Sequence, residues 1–435
     1  MRTLRLTLTL AVALLTNACA GKPLTRGPAS AGRQPLSLSR VAAASDIDWP
    51  RDGETWQNRG RISQMIRVST NLVLGGRRPA PAVPGQVQST PALMGELQLR
   101  AGDTGAVMVE LLDDRVEEFD FLATTTSENA FLVTAKKDND RMVFIGEAVG
   151  GPQPRLAVSQ VELPAQATFV LARAGVMDAG QHWLLLALRP ALKTGEEIVP
   201  MCHRLIVGER SKVVAGIDLR RDDAWRSAVE VALSKTGYLV AGSIGPEYDR
   251  SNFQGWVIGL DRTGRQQFET IGCGGWTGSC RILGISAAPN GDHLVAGKAY
   301  DEPHAGYFFA TLNSAGHWTQ TTPWQAPDGE TPTYCDAQNL TGAPGGPPVF
   351  AGVCADPSRG QDSHDMLLYW REATGAVIWS QSWRSSPFVR RWLWDRAGIT
   401  LLRDVDPESP ERRKQRLLIW RVLGVPGSAR APGDW

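Results

Sequence analysis

The feature that most constrains the fold is a glycine-containing turn followed by a short apolar strand, which occurs four times in the second half of the chain. The four segments are Thr236–Gly242 (TGYLVAG), Asn290–Gly297 (NGDHLVAG), Gly345–Gly352 (GGPPVFAG) and Ala397–Leu402 (AGITLL). Their turn glycines are 54, 55 and 52 residues apart. Short strands separated by tight turns, at a period near fifty residues, indicate an array of equivalent β-sheet units.

Each unit contains four predicted strands, and the first unit is the clearest. Its strands are Ser227–Ser234, Gly237–Ser243, Gly255–Asp261 and Arg265–Ile271. Two further units follow in the same pattern. The fourth begins at Arg390 and ends with the strand Arg416–Leu423, and its closing strand is not evident in the sequence.

Composition favours the same fold class. The 435 residues include 45 Gly and 28 Pro but only 21% charged residues, which is typical of many short strands and turns. Sheets arranged in a ring bury both faces and protect their edges. We therefore predict an all-β fold, a β-propeller of about seven four-stranded antiparallel blades over residues 51–425, with clear repeats at 225–425 and degenerate N-terminal blades. At about fifty residues per blade, six or eight blades fit the length as well, as does a separate N-terminal β-domain ending near residue 130.

The best repeat also resembles a known family pattern. The segments GYLVAG and GWVIGLDRTGRQQF at 237–268 resemble secreted bacterial β-propeller repeats of the form G-Y-x-x-A-G … W-x-x-x-L-D-x-x-G. The resemblance is clear from Trp225 to Trp383 and loose beyond it. It implies a propeller of an exported protein.

The N-terminus, residues 1–19, is predicted to be an export signal. Arg2 and Arg5 precede the apolar run Leu6–Leu15, which is too short to span a membrane as a helix. Small residues follow this run, and Ala18-Cys19-Ala20 fits cleavage before Gly21, which gives a periplasmic or secreted protein.

A second cleavage site competes with the first. The segment Leu15–Cys19 (LTNAC) resembles the bacterial lipoprotein signal, although Thr16 stands where that family prefers leucine. The resemblance implies a diacylglyceryl group on Cys19, and Ala20 in place of aspartate implies the outer membrane. Residues 20–50 lack large apolar groups and are predicted to be a disordered tether, and residues 426–435 a tail.

The remaining cysteines fit an oxidising compartment. Cys335 and Cys354 lie almost symmetrically about a turn, so a hairpin brings them to a separation that a disulfide can span. Cys273 and Cys280 flank a glycine-rich loop and form a second candidate pair. Cys202 is left over and is predicted to be a buried thiol.

The sequence shows no signature for catalysis, metal or cofactor binding, so we predict no catalytic residue, no metal site and no cofactor. His203 lies beside Cys202, but adjacent strand residues point to opposite faces. The formal charge of +1 leaves no large field to attract nucleic acid. The tryptophans of the repeats are predicted to pack between blades, with a sugar-binding platform as the less favoured alternative.

We predict a non-catalytic, membrane-tethered envelope module that binds a protein or a glycan. Long loops join the second and third strands of successive blades, which places them on one face of the ring. The candidate binding residues in these loops are Tyr248, Asp249, Arg250, Asn252, Asp301, His304, Asp362 and His364. The alternative is a polysaccharide hydrolase or lyase, which requires paired carboxylates or a histidine–metal centre converging on the ring axis.

Overall fold

In a computed structural model, the described residues form seven successive sheets of four or five strands and one two-stranded hairpin. The structure describes residues 43–48, 61–80, 92–138, 140–194, 197–199, 202–219, 224–246, 252–275, 278–288, 290–300, 306–323, 335–340, 349–355, 364–371, 377–383, 389–395, 398–404 and 414–421. All of these lie in one compact unit, Leu36–Trp435. In the described part, no helix has the length and hydropathy to cross a membrane.

The first strand, β1 (Ala43–Asp48), belongs to the last sheet. Blades 1 to 3 follow it along the chain. Blade 1 consists of β2 (Arg61–Val68), β3 (Asn71–Pro79), β4 (Leu93–Ala101) and β5 (Val107–Asp113). Blade 2 is built from β6 (Glu118–Leu122), β8 (Ala130–Lys137), β9 (Asp140–Val149) and β10 (Arg155–Val161). The short β7 (Thr124–Thr125) lies between β6 and β8 in the chain and adds a fifth strand to the sheet of blade 3. Blade 3 contains β11 (Leu171–Met177), β12 (His182–Arg189), β15 (Cys202–Glu209) and β16 (Lys212–Asp218), and carries the hairpin β13 (Leu192–Thr194) and β14 (Glu197–Val199).

Blades 4 to 7 correspond to the four repeats read from the sequence. Blade 4 is β17 (Ala224–Leu233), β18 (Gly237–Pro246), β19 (Gln254–Asp261) and β20 (Gln266–Ile271). Blade 5 is β21 (Cys280–Ala287), β22 (His293–Ala299), β23 (Gly306–Leu312) and β24 (Trp318–Pro323). Blade 6 is β25 (Cys335–Leu340), β26 (Val349–Ala355), β27 (His364–Arg371) and β28 (Val377–Trp383). Blade 7 is β29 (Val389–Asp395), β30 (Gly398–Asp404), β31 (Lys414–Arg421) and β1.

The ring closes through β1, which supplies the strand that the fourth repeat lacks. It pairs antiparallel with β31, so that Ala43 lies opposite Ile419 and Asp48 opposite Lys414. The prediction of a disordered tether over residues 20–50 is therefore wrong for residues 43–48, which form a strand. Composition misses this strand because its pairing partner lies more than 360 residues away in the chain.

Blade 1 also packs directly on blade 7. Strand β2 contacts β29, and the Arg67 Nη2 donates to Thr400 Oγ1 over 3.1 Å. A buried apolar cluster joins Leu72 and Leu74 of blade 1 to Leu402 of blade 7. Similar clusters lie between blades 1 and 2, 2 and 3, 3 and 4, and 4 and 5. The core is thus a series of layers between sheets, as expected when each sheet buries both faces.

The repeated strand glycine has a local reason. The first strand of each blade, called here its inner strand, has a β-bulge in its pairing with the second strand. In blade 4 the bulge lies between Ala228 and Glu230, and in blade 5 between Ile282 and Gly284. The second strand places a glycine opposite the start of this bulge, Gly242 or Gly297. A Cβ on Gly242 would lie 2.0 Å from the Ser227 carbonyl oxygen. The glycine of the Ala-Gly motif is therefore needed because two backbones approach each other closely at this position.

Candidate functional site

The predicted binding loops start from equivalent strands in blades 4, 5 and 6. Each connects the second strand of its blade to the third: β18 to β19, β22 to β23 and β26 to β27. Because successive strands are antiparallel, these loops and the connections from one blade to the next lie at the same end of the strands. We call this end the loop edge.

Most of the predicted loop residues lie outside the described part of the chain, namely Tyr248, Asp249, Arg250, Asp301, His304 and Asp362. Two are described. Asn252 is exposed just before β19, and His364 is the first residue of β27. Their participation in binding stays a prediction.

A disulfide stiffens the loop edge between blades 4 and 5. Cys273 and Cys280 are bonded, which confirms this predicted pair, and their Cα atoms are 6.5 Å apart. The bond joins the end of blade 4 to the first residue of β21. The Cys280 amide donates to the Phe253 carbonyl over 2.7 Å, and the Gly272 amide donates to the Gly255 carbonyl over 2.8 Å. The inter-blade loop is therefore fixed to the β18–β19 connection.

Beside this disulfide, an arginine is held by aromatic rings. The guanidinium of Arg281 lies 4.3 Å from the ring centre of Phe253 and 5.7 Å from that of Tyr300. The ammonium of Lys298 lies 5.4 Å from the Tyr300 ring centre. The Tyr300 amide donates to the Ser279 carbonyl over 3.0 Å, which ties its backbone to the disulfide loop. We call Phe253, Arg281, Lys298 and Tyr300 the Arg281 cluster.

The cluster combines two cations with one accessible ring. Arg281 and Lys298 are directly opposite each other on β21 and β22, and both side chains are partly exposed. Tyr300 is 44% exposed, whereas Phe253 is 9% exposed and supports Arg281 from inside. Cations over ring faces are attracted by the negative centre of the π-system. The arrangement therefore presents positive charge and an aromatic surface together.

Blade 1 has a cation pair at the same register position. Arg61 lies opposite Arg77, one residue before the bulge, as Arg281 lies opposite Lys298. Here both cations contact Glu118 of blade 2, with Arg61 Nη2 at 3.3 Å and Arg77 Nη1 at 3.5 Å from its carboxylate. Burial lowers the pKa of Arg77, and the charge of Glu118 partly offsets this effect. This pair is a structural contact between blades.

Blade 1 also contains a carboxylate that is fully buried. Glu96 on β4 contacts Arg78 and accepts a hydrogen bond from Gln98 Nε2 over 2.7 Å. Burial raises its pKa, against the opposing effects of Gln98 and Arg78. Arg78 also contacts Glu110. Glu96 on β4 and Glu110 on β5 thus share Arg78 on β3. Neither carboxylate belongs to β2, the first strand of the blade.

His203 is a contact between blades. It is 8% exposed, and its Nδ1 accepts a hydrogen bond from the Ala228 amide at the bulge of β17 over 2.8 Å. Burial lowers its pKa to about 4, with a smaller contribution from the charge of Arg173. Cys202 is a buried thiol, as predicted. His203 thus holds blade 3 to blade 4 as a neutral acceptor.

The second predicted disulfide has the expected backbone register. Cys335 and Cys354 are directly opposite each other on β25 and β26. Opposed residues of antiparallel strands have Cα atoms about 4.5 or 5.5 Å apart, and both values suit a disulfide. Their side chains lie outside the described part, so the bond stays a prediction.

The described tryptophans of the repeats pack inside the ring. Trp256 is fully buried and donates from Nε1 to Glu269 over 2.6 Å, and Trp318 is partly buried against the core between blades 4 and 5. For these two residues, the packing hypothesis is confirmed. Among the described residues, no group of three or more His, Cys, Asp or Glu side chains is placed to hold a metal ion.

Sequence reasoning missed the Arg281 cluster. Its residues come from two strands, β21 and β22, and from two connections, before β19 and after β22, and only the fold brings them together. The one signal in the sequence was the equivalence of blades 1 and 5. In both blades an Arg-Ile pair lies near the start of the first strand, and the isoleucine lies opposite a glycine of the second strand. These pairs are Arg61-Ile62 opposite Gly76 and Arg281-Ile282 opposite Gly297.

The seven described blades, closed into a ring by the pairing of β1 with β31, define the chain as a β-propeller. No family model matches the sequence, and no curated protein matches it. Solved structures with similar folds include the WD40 domain of Toxoplasma gondii coronin, at 10% identity over 90% of each chain with a TM-score of 0.43. The Dos1 propeller is 9% identical over 87% of this chain and 96% of that one, with a TM-score of 0.41. Sqt1 from Chaetomium thermophilum is 9% identical over 89% of this chain and 100% of that one, with a TM-score of 0.40.

Proposed function

We propose that this protein is an exported, membrane-tethered β-propeller that binds a protein or glycan of the cell envelope at the loop edge, without catalysing a reaction. The observation that carries the proposal is the rigid Arg281 cluster at that edge. Charged and aromatic groups held in place before binding lose less conformational entropy when a partner arrives.

The register of β1 supports a tether on the opposite side. Asp48 of β1 and Asp404 of β30 lie at the end of blade 7 where Lys414 begins β31, which is its loop edge. Ala43 lies at the other end of the same strand. The chain therefore enters blade 7 at the edge opposite to the loop edge.

The disulfide supports export. Disulfides persist in oxidising compartments such as the bacterial periplasm and are rare in the cytosol. The Cys273–Cys280 bond thus agrees with the export signal predicted for residues 1–19. Attachment to the outer membrane through Cys19 is part of the proposal and needs its own test.

Anchoring is tested by mass spectrometry of the mature N-terminus. Wild-type protein and a Cys19→Ala variant are produced in a Gram-negative host and fractionated into outer membrane, inner membrane and periplasm. We expect a diacylglyceryl group on Cys19 in the wild type and release of the variant from the outer membrane. A mature chain that begins at Gly21 would contradict the anchor.

Binding is tested by cross-linking in intact envelopes. We expect one partner to be captured by the wild type and lost in a variant with Tyr248, Asp249 and Arg250 replaced by alanine. The matched control replaces Ser314 and His317, both exposed in a hairpin at the opposite edge of blade 5. Equal loss in both variants, or capture that needs neither edge, would contradict a binding loop edge.

A further inference from the structure

Arg281 differs from four other described arginines in the groups that its guanidinium contacts. Arg78, Arg141, Arg189, Arg226 and Arg281 each have a buried side-chain nitrogen with no hydrogen-bond partner. The first four nevertheless contact a carboxylate, on Glu96, Asp120, Asp218 and Glu269 respectively. Arg281 contacts the rings of Phe253 and Tyr300 instead.

An arginine held in this way is prepared for an anion. Its guanidinium lies over the rings of Phe253 and Tyr300, and its side chain is partly exposed. Among the described residues, its buried Nε has no hydrogen-bond partner. A planar guanidinium offers parallel donors that match the two oxygens of a carboxylate. Lys298 lies directly opposite on the next strand and adds a second positive charge.

We propose that the Arg281 cluster is a subsite for a carboxylate-bearing sugar, such as a uronate unit of an acidic polysaccharide. This inference rests on the proposed binding function and names its ligand class. The carboxylate accepts hydrogen bonds from Arg281, Lys298 provides long-range attraction, and the sugar ring packs against the exposed part of Tyr300.

The size of the cluster favours a sugar over an acidic protein. A stable protein interface uses about 20–30 residues on each side. The cluster offers one accessible aromatic ring and two cations, which suits a single saccharide unit. The other exposed large apolar side chains of the described chain are Val107, Leu112, Leu171, Val214, Val229 and Ile271, and none of them belongs to blade 5.

The test is calorimetric titration of the full mature protein with three probes. These are a short oligogalacturonate, a neutral oligogalactose of equal length and a short polyglutamate. We expect the oligogalacturonate to bind, with an affinity that decreases when salt is added. The other two probes should bind at least about tenfold more weakly, a difference on the order of one charge-assisted hydrogen bond.

Matched variants assign the binding to the cluster. Arg281→Gln should weaken oligogalacturonate binding by about tenfold or more, and Tyr300→Ala by about fivefold. The control Arg265→Gln removes an exposed arginine at the opposite edge and should change the affinity by less than about twofold. Thermal melting confirms that each variant is folded.

Three results would overturn the inference. Equal binding of polyglutamate through Arg281 would assign the site to an acidic protein. Unchanged affinity in Arg281→Gln would remove the cluster from the site. Binding that appears only in Asp336→Asn would show that a carboxylate of blade 6, equivalent in register to Glu118 of blade 2, already occupies it.

Capture of a partner in intact envelopes distinguishes failure of the sugar subsite from failure of the proposed binding function. An envelope partner captured equally well by Arg281→Gln and by the wild type would refute the sugar subsite and leave the binding module intact. Loss of capture only in the Tyr248, Asp249 and Arg250 variant would likewise refute the subsite and preserve the module.

Discussion

Blades 1 and 5 place two cations at the same register position, but the surroundings of the two pairs differ. In blade 1, Arg61 and Arg77 share the carboxylate of Glu118, which is 5% exposed. In blade 5, Arg281 contacts aromatic rings of the loop edge. The backbones agree, since a bulge and a strand glycine follow each pair.

The contrast indicates that the repeated backbone and the edge side chains have separate tasks. The bulge and its glycine determine how the inner strand meets the second strand, and this holds in both blades. The cations before the bulge join neighbouring blades in one case and leave a guanidinium available in the other. A propeller thus varies its edge without changing its sheets.

The largest effect is expected where the two blades are the same. Gly76→Ala and Gly297→Ala should each destabilise the protein by about 4 kcal/mol, beyond ordinary overpacking because backbone is involved. A Cβ at Gly76 would lie 1.9 Å from the Arg61 carbonyl oxygen, and one at Gly297 2.6 Å from the Arg281 carbonyl oxygen.

Urea unfolding measures both glycine variants, with Gly180→Ala as the control. A Cβ at Gly180 meets its nearest neighbour at 3.4 Å, so this change should be nearly neutral. A mild effect in one blade only would show that the bulges are not equivalent.

The next largest effect is expected from removing the carboxylate that distinguishes the cation pair of blade 1 from that of blade 5. Glu118→Gln should cost about 3 kcal/mol, the lower end for breaking a buried ion pair, because Arg61 keeps some contact with water. Its removal takes away the carboxylate charge that Arg61 and Arg77 share and leaves these two cations opposite each other. The urea midpoint should fall, and high salt should recover part of the loss by screening the repulsion.

Loss of stability that does not depend on salt would contradict this electrostatic account. The conservative variant Glu118→Asp is a useful companion, since it keeps the charge and shortens the side chain. It should lie between the wild type and Glu118→Gln.

The contact that His203 makes between blades 3 and 4 should make the stability of the protein depend on pH. The pKa of His203 is lowered by burial to about 4, below the value of about 6.5 expected in the unfolded chain. The unfolded state therefore binds the proton first as pH falls, and stability is lost between about pH 6.5 and pH 4. We expect His203 to account for about 2–3 kcal/mol of the loss by pH 4.

The pH dependence of unfolding checks this expectation against two variants. His203→Gln should flatten the profile in that range, and His317→Gln, which replaces an exposed histidine, is the matched control. An unaltered profile in His203→Gln would assign the acid sensitivity to other groups.

The smallest effect on stability should come from the loop edge. Arg281→Gln removes stacking on Phe253 and Tyr300 but breaks no ion pair within the described residues, so it should change stability by less than about 1 kcal/mol. A cost near that of Glu118→Gln would make Arg281 a structural contact and erase the contrast between the blades.

Much of blades 4 to 7 was predictable because local signals repeat there. The four segments that contain the repeat fall on β18, β22, β26 and β30, the second strand of each blade. Gly237 begins β18, Gly398 begins β30, and Gly291 lies just before β22. Gly237 lies at a close backbone approach and Gly291 occupies a turn with positive φ, and such positions leave a visible trace in sequence.

Blades 1 to 3 were harder to predict because their cores are fixed by volume and burial. In blade 2, Phe119, Phe131 and Phe144 are almost fully buried between sheets, but their spacing follows no repeat. Apolar side chains of similar size can exchange positions if the layer between sheets stays filled. These blades therefore keep the architecture after the motif has faded.

Local sequence was enough to specify the all-β class, the four-strand unit, the disulfide between Cys273 and Cys280, and the packing role of Trp256, because these depend on turns and on residues close in the chain. Three other features became known only from the folded chain: β1 closes blade 7, His203 supports the bulge of blade 4, and Arg281 meets Phe253 and Tyr300. Those contacts arise from strand register and from the meeting of neighbouring sheets. A local pattern carries no information about which distant strand will lie beside it.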